Sequence, residues 1–597
     1  MDVKLMREIE QARQAVARDH QDQKALKYLA NLYMLQGQYK EVLVLSERML
    51  VVDPQNYEAL YMAAMAYFYL DDAVTAFELA QQVVKIKPDY IGAYMSMAFY
   101  YGQKSMLREK MAMLEKVVCL GEKIYGSSFE NDLVSEAWLQ LAIAHVALGN
   151  ISACKKAYLK RGVTKKFLTE KCKAYSSYLM CSNYDAALSN AEMLAEHKKY
   201  NDFFADVKPY PQAKPVLKKK LRIGYISPDF YEHVVMYFAE PLLWNYNPEK
   251  FAVFCYRKGK KDEKTAQLCN APGTVWRDIT KLEPAAAAKL IYDDKIDILV
   301  DLAGHTADNC LPVLAYKPAP LQISGIGYFS TTGLAAIDYF LTDVYVDPIG
   351  CNDACFTEKL LRLPHTHWCY AKKKEVPDCA EAPYKKNGYV TFCSFNTFAK
   401  ITDAMLRLWW RILQAVPESR LVLKSKVFEN FYGIQVVSVR LGRLGFDLSR
   451  VLFRPATRTY MREYLEMDIA LDTSPYVGGA TTCEALFMGV PVVTLAGERH
   501  GSRFGYSMLK NIGLEECIAR TEDEYVAKAV ALANAGQRLN SLHQGRLREM
   551  MLASPLMDAR SYMHDLEAAY AEMWHKAAAT CPLAQNTSLE YNTVNSY

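Results

Sequence analysis

The run LDTSPYVGGATTCEALFMGVPVVTL, residues 471–495, has the residue types and spacing of an anion cradle. An apolar strand pattern ends at Asp472, a loop carries Gly478 and Gly479, and a helical pattern opens near Thr481. Glycines let the backbone approach a ligand closely, and amides at a helix N-terminus suit an anion such as a diphosphate. Ala480 keeps the turn small, Thr481 and Thr482 add hydroxyl donors, and Glu484, one turn in, is suited to accept from a ribose hydroxyl. A glycine turn with a threonine helix cap is the plain structural alternative. The pattern G-x-x-x-x-G-K-[ST] does not occur, which argues against ATP hydrolysis.

A second run, SFNTFAKIT at 394–402, follows the apolar strand pattern YVTFC. Lys400 stands where a helix should start, beside Asn396 and Thr397. A lysine there can neutralise charge developing on a departing nucleotide diphosphate, which is electrostatic stabilisation of a transition state. SRLVLKSK ends at Lys424 and Lys426, and RVLFRPATR ends at Arg458, so three successive strands deliver cations to one edge. Earlier in the chain, SPDFYEHVVMYF (227–238) and DLAGHTADN (301–309) place His233 and His305 beyond strand ends. An imidazole there can act as general base or orient an acceptor hydroxyl. HTHWC (365–369) offers His365, His367 and Cys369 to a metal, but no further Cys/His cluster at zinc spacing accompanies it. Asp-x-Asp is absent, so no metal and no cofactor are expected.

These motifs need elements to hold them. From residue 221 short apolar strands alternate with helical stretches: LRIGYIS, FAVFCYR, IDILVDLAG, LQISGIGY and YFLTD. After a polar stretch at 372–388 the pattern restarts with YVTFCSF, SRLVLKSK, RVLFRP, IALDT and VPVVTL. Alternation implies parallel, doubly wound sheets, whose ligands bind beyond the carboxyl ends of the strands. The expectation is two Rossmann-like lobes, 221–388 and 389–579, facing a cleft. The closing stretch SYMHDLEAAYAEMWHKAA should pack back on the module, and 580–597 reads as a disordered tail.

The N-terminal third is a repeat array. Ala25, Ala59 and Ala93 are spaced by 34, as are Ala30, Ala64 and Ala98, and Pro54 and Pro88 keep the same interval. This is the tetratricopeptide period, in which small residues let two antiparallel helices approach and proline stops the second. A further unit is displaced, with its small residue at Ala142. The array is expected over 1–205, followed by a Pro/Lys-rich linker at 206–220. Stacked helix pairs form a groove that commonly holds peptides, which alone would support a binding or scaffold protein.

With 597 residues the chain is too long for one ordinary core, and 51% apolar with 23% charged residues is an ordinary globular composition. A net charge of +4 is too weak to argue for nucleic acid. The N-terminus lacks the apolar stretch of a secretory signal, and no window is long and apolar enough to span a membrane. The 15 cysteines form no C-x-x-C pair and read as reduced thiols, which points to the cytoplasm.

Taken together, LRIGYISPDF…H, IDILVDLAGHTADN, KPAPLQISGIGY, SFNTFAKIT and LDTSPYVGGATTCEALFMGVP resemble the catalytic module of the O-linked N-acetylglucosamine transferase/SPINDLY family. The resemblance covers roughly 221–575, and the repeat array matches the family's domain order. It implies a GT-B fold and metal-independent, inverting transfer of a sugar from a nucleotide donor to Ser/Thr hydroxyls of proteins, most simply from UDP-N-acetylglucosamine. On the matching positions it implies Lys400 as the donor-phosphate lysine, Thr397 at a donor-contacting position, and Arg458 at a nucleotide-contacting one. It implies backbone contact to the base at Ala456, phosphate contact at Thr481 and Thr482, ribose contact at Glu484, and His233 near the sugar. The chain departs from the animal enzymes at Met461, where they stack a histidine on the base, and at Gly479, the first residue of their His-Thr-Thr turn. It also lacks their large insert between the lobes. GGATTCEALFMGVP, GHTADN and FAKIT are nearer the SPINDLY branch, some of whose plant members transfer fucose from GDP-fucose. The partners implied are a nucleotide sugar and a protein acceptor held along the repeat groove and cleft, with self-association through the repeats.

Overall fold

The structure is a computed structural model that describes residues 3–126, 130–371 and 376–579. The tail expected at 580–597 lies outside the described residues. The chain divides into two units, one built mainly on residues up to Phe167 and one from Leu168 onward.

Among the described residues up to Phe167, nine helices pack each on its successor: α1 (Val3–Arg18), α2 (Gln23–Gln36), α3 (Tyr39–Val52), α4 (Tyr57–Tyr69), α5 (Ala73–Ile86), α6 (Ile91–Gln103), α7 (Leu107–Tyr125), α8 (Asp132–Ala147) and α9 (Ile151–Val163). Ala30, Ala64 and Ala98 are fully buried, as the helix approach requires. The 34-residue period also governs the backbone between the paired helices. Gly37, Asp71 and Ser105, each 34 apart, all take positive φ, at 74°, 68° and 56°. Asp22 and Asn56, again 34 apart, cap α2 and α4 by accepting two amides each. The displaced fourth unit has a cause, since α7 runs 19 residues where α3 and α5 run 14.

The second unit begins with α10 (Leu168–Ser182) and α11 (Asn190–Lys198). This corrects the expected boundary at 205, because the helical texture of 168–205 continues that of the repeats while its partners lie in the α/β module. His197 Nε2 and Asn183 Nδ2 both bond the buried Tyr328 hydroxyl, at 2.6 and 3.0 Å, and Asn201 accepts the Ala335 amide at 3.0 Å. Residues 207–219 have no regular structure.

The first sheet has seven parallel strands in the order β3-β2-β1-β4-β5-β6-β7: β1 (Leu221–Ser227), β2 (Phe251–Arg257), β3 (Val275–Asp278), β4 (Ile298–Asp301), β5 (Leu321–Ser324), β6 (Tyr339–Asp343) and β7 (Lys359–Leu363). The second has six, ordered β10-β9-β8-β11-β12-β13: β8 (Thr391–Ser394), β9 (Arg420–Lys424), β10 (Val451–Arg454), β11 (Ile469–Leu471), β12 (Val492–Leu495) and β13 (Ile518–Ala519). Every expected strand is present, and β3, β7 and β13 are additional. The order reverses between β1 and β4 in one sheet and between β8 and β11 in the other, the crevices where open α/β sheets bind ligands. The second lobe already holds residues before the expected boundary at 388. Ala382 donates to Asn540 at 3.0 Å and Tyr384 to Asp468 at 2.9 Å.

The lobes are tied across their interface. His500 Nδ1 lies 2.6 Å from Asp347, Ser507 donates to Asp343 at 2.9 Å, and Arg503 donates to the Val346 carbonyl at 2.8 Å. The last helix, Ala559–Ala579, returns to the first lobe as expected. There Tyr562 donates to the His367 carbonyl, Glu567 accepts the Asn247 amide and Trp574 donates to the Val216 carbonyl.

Candidate active site

After β8 the chain turns through Asn396 and Thr397 into one 3-10 turn, Phe398–Lys400. The helix Asp403–Ala415 follows, capped by Thr402. Lys400 therefore lies on the approach to the helix rather than in its first turn. Its ammonium donates to Asn396 Oδ1 at 3.2 Å and to the Val477 carbonyl at 3.1 Å, and sits 4.8 Å from the centre of the Tyr476 ring. Burial pulls the ammonium down to about 8, against the opposing pull of Asp472.

After β11 the buried Asp472 organises the glycine turn by accepting the Gly478 amide at 2.7 Å and the Thr494 hydroxyl at 2.8 Å. A Cβ on Gly478 would lie 2.5 Å from Thr482 Oγ1 and 2.6 Å from Thr481 Oγ1, so only glycine admits both hydroxyls to this loop. The helix Ala480–Phe487 starts at once, with Gly479 before it. Thr481 Oγ1 donates to the same Asn396 oxygen that receives Lys400, at 3.2 Å. Amides, hydroxyls and one ammonium thus converge at the β8/β11 crevice.

The first lobe supplies the facing wall. His233, in the loop after β1, lines a cleft of ≈ 310 Å³ together with Phe329 and Trp368, and with Thr397, Lys400, Tyr476 and Thr481 of the second lobe. Gly479 and Ala480 also line it. Met180 and Tyr184, from the segment that reads as repeat array, complete one side. His233 is partly buried, which pulls its imidazole below the ordinary value, and its Nδ1 lies 3.6 Å from Asp229 Oδ1.

Other expected residues lie elsewhere. His305 is walled in rather than cleft-facing, with Nδ1 3.0 Å from Ser176 Oγ and Nε2 2.7 Å from the Thr332 carbonyl. Nδ1 holds α10 on the first lobe and Nε2 is used within that lobe, so the acceptor-side expectation for His305 is corrected. Lys424 is neutralised by Glu463 at 2.7 Å and also donates to Thr457 Oγ1 at 3.0 Å and to the Pro455 carbonyl. It straps the loop after β10, on which Ala456 and Arg458 are exposed. Of the strand-end cations Lys400, Lys424, Lys426 and Arg458, Lys400 alone lines this cleft. Glu484 is buried one turn into its helix and accepts the Tyr460 hydroxyl. In the HTHWC run, His367 Nδ1 is 2.6 Å from Asp343, and no group of three or more metal-ligating side chains occurs among the described residues.

The aromatic walls Phe329, Trp368 and Tyr476 carry no chemical signature in the sequence. Asp229 had a faint one, since it sits four residues before His233 just beyond a strand.

Residues 197–382 and 382–566 match glycosyl transferase family 41, more than half of the chain. A probable UDP-N-acetylglucosamine–peptide N-acetylglucosaminyltransferase SPINDLY of Hordeum vulgare is 41% identical over 409 residues, which are 67% of this chain and 43% of that protein. The protein of the same name from Arabidopsis thaliana is 40% identical over 408 residues, 67% of this chain and 44% of that one. The chain thus spans less than half the length of these relatives. A solved structure, a point mutant of the O-GlcNAc transferase of Thermobaculum terrenum, superposes with a TM-score of 0.74 at 29% identity, covering 88% of this chain and 98% of that one. With its two parallel lobes, its strand-end turns and these matches, the chain belongs to glycosyl transferase family 41 and has the GT-B fold.

Proposed function

We propose that this chain transfers N-acetylglucosamine from UDP-N-acetylglucosamine to serine and threonine hydroxyls of proteins, with inversion. The observation that carries the reading is the meeting of His233 and Lys400, from opposite lobes, in one cleft beside the Gly478–Thr482 turn. The names borne by the relatives and by the solved structure supply donor and acceptor class. In this reading the acceptor oxygen bonds to the anomeric carbon from the face opposite the nucleotide. The bond from that carbon to the phosphate oxygen breaks, and its electron pair leaves with UDP. The acceptor proton passes to His233, whose partly buried ring favours the neutral, basic form. Charge gathering on UDP is met by Lys400, Thr481 and the amides of the turn, which need not reorganise as the bond breaks. In this reading the positive charge comes from the chain's own residues. The described cysteines are scattered and mostly buried, which suits a reducing compartment such as the cytoplasm.

A second reading keeps the cleft and changes the donor to GDP-fucose. Gly479 and Met461, which depart from the animal enzymes on the nucleotide side, favour it. Incubation of the full chain with each nucleotide sugar and candidate acceptor proteins, followed by intact-mass analysis, separates the two. A mass gain of one N-acetylhexosamine supports the first and one deoxyhexose the second. Stabilisation by UDP but not GDP in thermal shift gives the same division. No added mass with either donor, and no nucleotide-dependent stabilisation, overturns both.

A further inference from the structure

Behind His233 lies a carboxyl group that the proposed reaction has not used. Asp229, two residues beyond the end of β1, is almost fully buried. Its Oδ2 has no hydrogen-bond partner among the described residues, and its Oδ1 lies 3.6 Å from His233 Nδ1. A buried carboxyl without a partner is costly, and native structures keep such groups where chemistry uses them. The Val235 amide donates to Nδ1 at 3.4 Å, a contact that a protonated Nδ1 gives up. That amide opens the helix Met236–Trp244, and a first-turn amide has water as an alternative partner. Oδ1 of Asp229 thus faces the ring of His233, a residue that lines the cleft.

We propose that Asp229 is a positioning residue: its carboxylate accepts a hydrogen bond from Nδ1–H of His233, so that Nε2 presents its lone pair to the acceptor hydroxyl. This deepens the reaction proposed above and rests on His233 acting there. When the acceptor oxygen bonds to the sugar, its proton moves to Nε2. The resulting imidazolium lies against the Asp229 carboxylate, and UDP leaves with the electrons of the broken bond. Burial, with Asp301 at the end of β4 and Asp308 in the loop beyond, pushes the Asp229 carboxyl up to about 7. The other titratable groups around the pair include Tyr231, whose ring is 5.4 Å from His233, Cys310, which senses the Asp229 charge, and Tyr184, Tyr476 and Lys400 in the cleft lining.

The test is long-range ¹H–¹⁵N spectroscopy of the full, ¹⁵N-histidine-labelled chain with UDP bound at pH 8, with His233→Gln identifying the ring. The wild type should show Nδ1 protonated and Nε2 bare. Asp229→Asn should reverse this, because the carboxamide NH₂ donates to Nδ1. In the same variant kcat should fall at least about tenfold with KM for UDP-N-acetylglucosamine unchanged, and Asp229→Glu should recover part of the loss. A wild-type ring protonated on Nε2 overturns the proposal without recourse to any variant. So does Asp229→Asn with unchanged tautomer and kcat. Should the tautomer follow Asp229 while His233→Gln transfers at full rate, the positioning role falls together with that of His233, and the donor chemistry stands. Absence of transfer from any nucleotide sugar instead overturns the proposed function, while the spectrum still decides the pairing.

Discussion

Lys400 and Thr481 bond to one and the same oxygen, Asn396 Oδ1, each at 3.2 Å. The loop after β8 and the turn after β11 are therefore locked together at the point where a diphosphate would sit. Replacing Lys400 by Met keeps the stem and removes the charge. Transfer should fall at least about 100-fold, the usual effect of deleting one preorganised charge-stabilising group. The fold should survive. The ammonium is held at about 8 against 10.5 in the unfolded chain, so the unfolded state binds the proton more tightly between those values. Stability gains with pH across that window, and at pH 7 the buried charge is a burden that Met lifts. A melting temperature equal to or above wild type, with activity lost, is the expected pair of readings. Full activity would sink the role.

The pH profile of kcat/KM should be bell-shaped and narrow. On the acid side it rises as Asp229 loses its proton near 7, which frees His233 to accept one. On the alkaline side it falls as Lys400 loses its charge near 8. Asp229→Asn should remove the acid limb and leave the alkaline one. The sign for stability is opposite to that for activity. Asp229 is raised from 3.8 to about 7, so the folded state holds a proton that the unfolded chain releases, and stability falls with pH across that interval. Asp229→Asn should therefore melt no lower than wild type at pH 8. A flat profile from pH 6 to 9 would count against both residues.

Gly478→Ala tests the cradle itself. The glycine φ is not positive, so the added methyl acts through space alone, within 2.6 Å of two threonine hydroxyls. Those hydroxyls must turn away, at an overpacking cost of about 1–3 kcal/mol. The expected result is a lower melting temperature together with a smaller stabilisation by UDP. Unchanged UDP stabilisation would separate the turn from the nucleotide.

His305→Ala should behave as a structural lesion. It leaves the Ser176 hydroxyl and the Thr332 carbonyl without partners in a buried site, about 1–3 kcal/mol for each group left unsatisfied. Thermal unfolding of the second unit should shift down, while the increment produced by UDP is kept. Loss of acceptor turnover with an unaltered melting temperature would instead restore His305 to the acceptor side.

What the sequence disclosed and what it hid follow from range. Strand ends, the glycine turn and Lys400 are local patterns, readable because one strand and its loop contain them. The strands that escaped, β3, β7 and β13, are each at the edge of a sheet. Edge strands are short and carry polar residues toward solvent, as VWRD and KLLRL do, so their apolar signal is weak. The misplacement of His305 has a different source. Its partner Ser176 is 129 residues away in a helix whose composition continues the repeats. Met180 and Tyr184 reached the cleft by the same route. For Lys424 a strand-end cation was visible, but Glu463, 39 residues on, was not, and that carboxylate decides whether the charge is free.

Lys424 therefore offers a test that divides sequence from structure. Were it a nucleotide contact, Lys424→Met would weaken UDP binding directly and Glu463→Gln would leave the fold intact. The structure makes it a strap, with both partners largely buried and Thr457 sharing Glu463. Removing either partner strands the other charge, which costs several kcal/mol, about 3–5 where the pair is fully buried. Either single change should destabilise the second lobe, and the double change Lys424→Met with Glu463→Gln should recover much of the loss. UDP affinity in the double variant should lie near wild type if the loop carrying Ala456 and Arg458 keeps its course. A double-mutant cycle of melting temperature against UDP affinity reads both quantities. Additive melting losses with a UDP defect confined to Lys424→Met would return that lysine to the donor site.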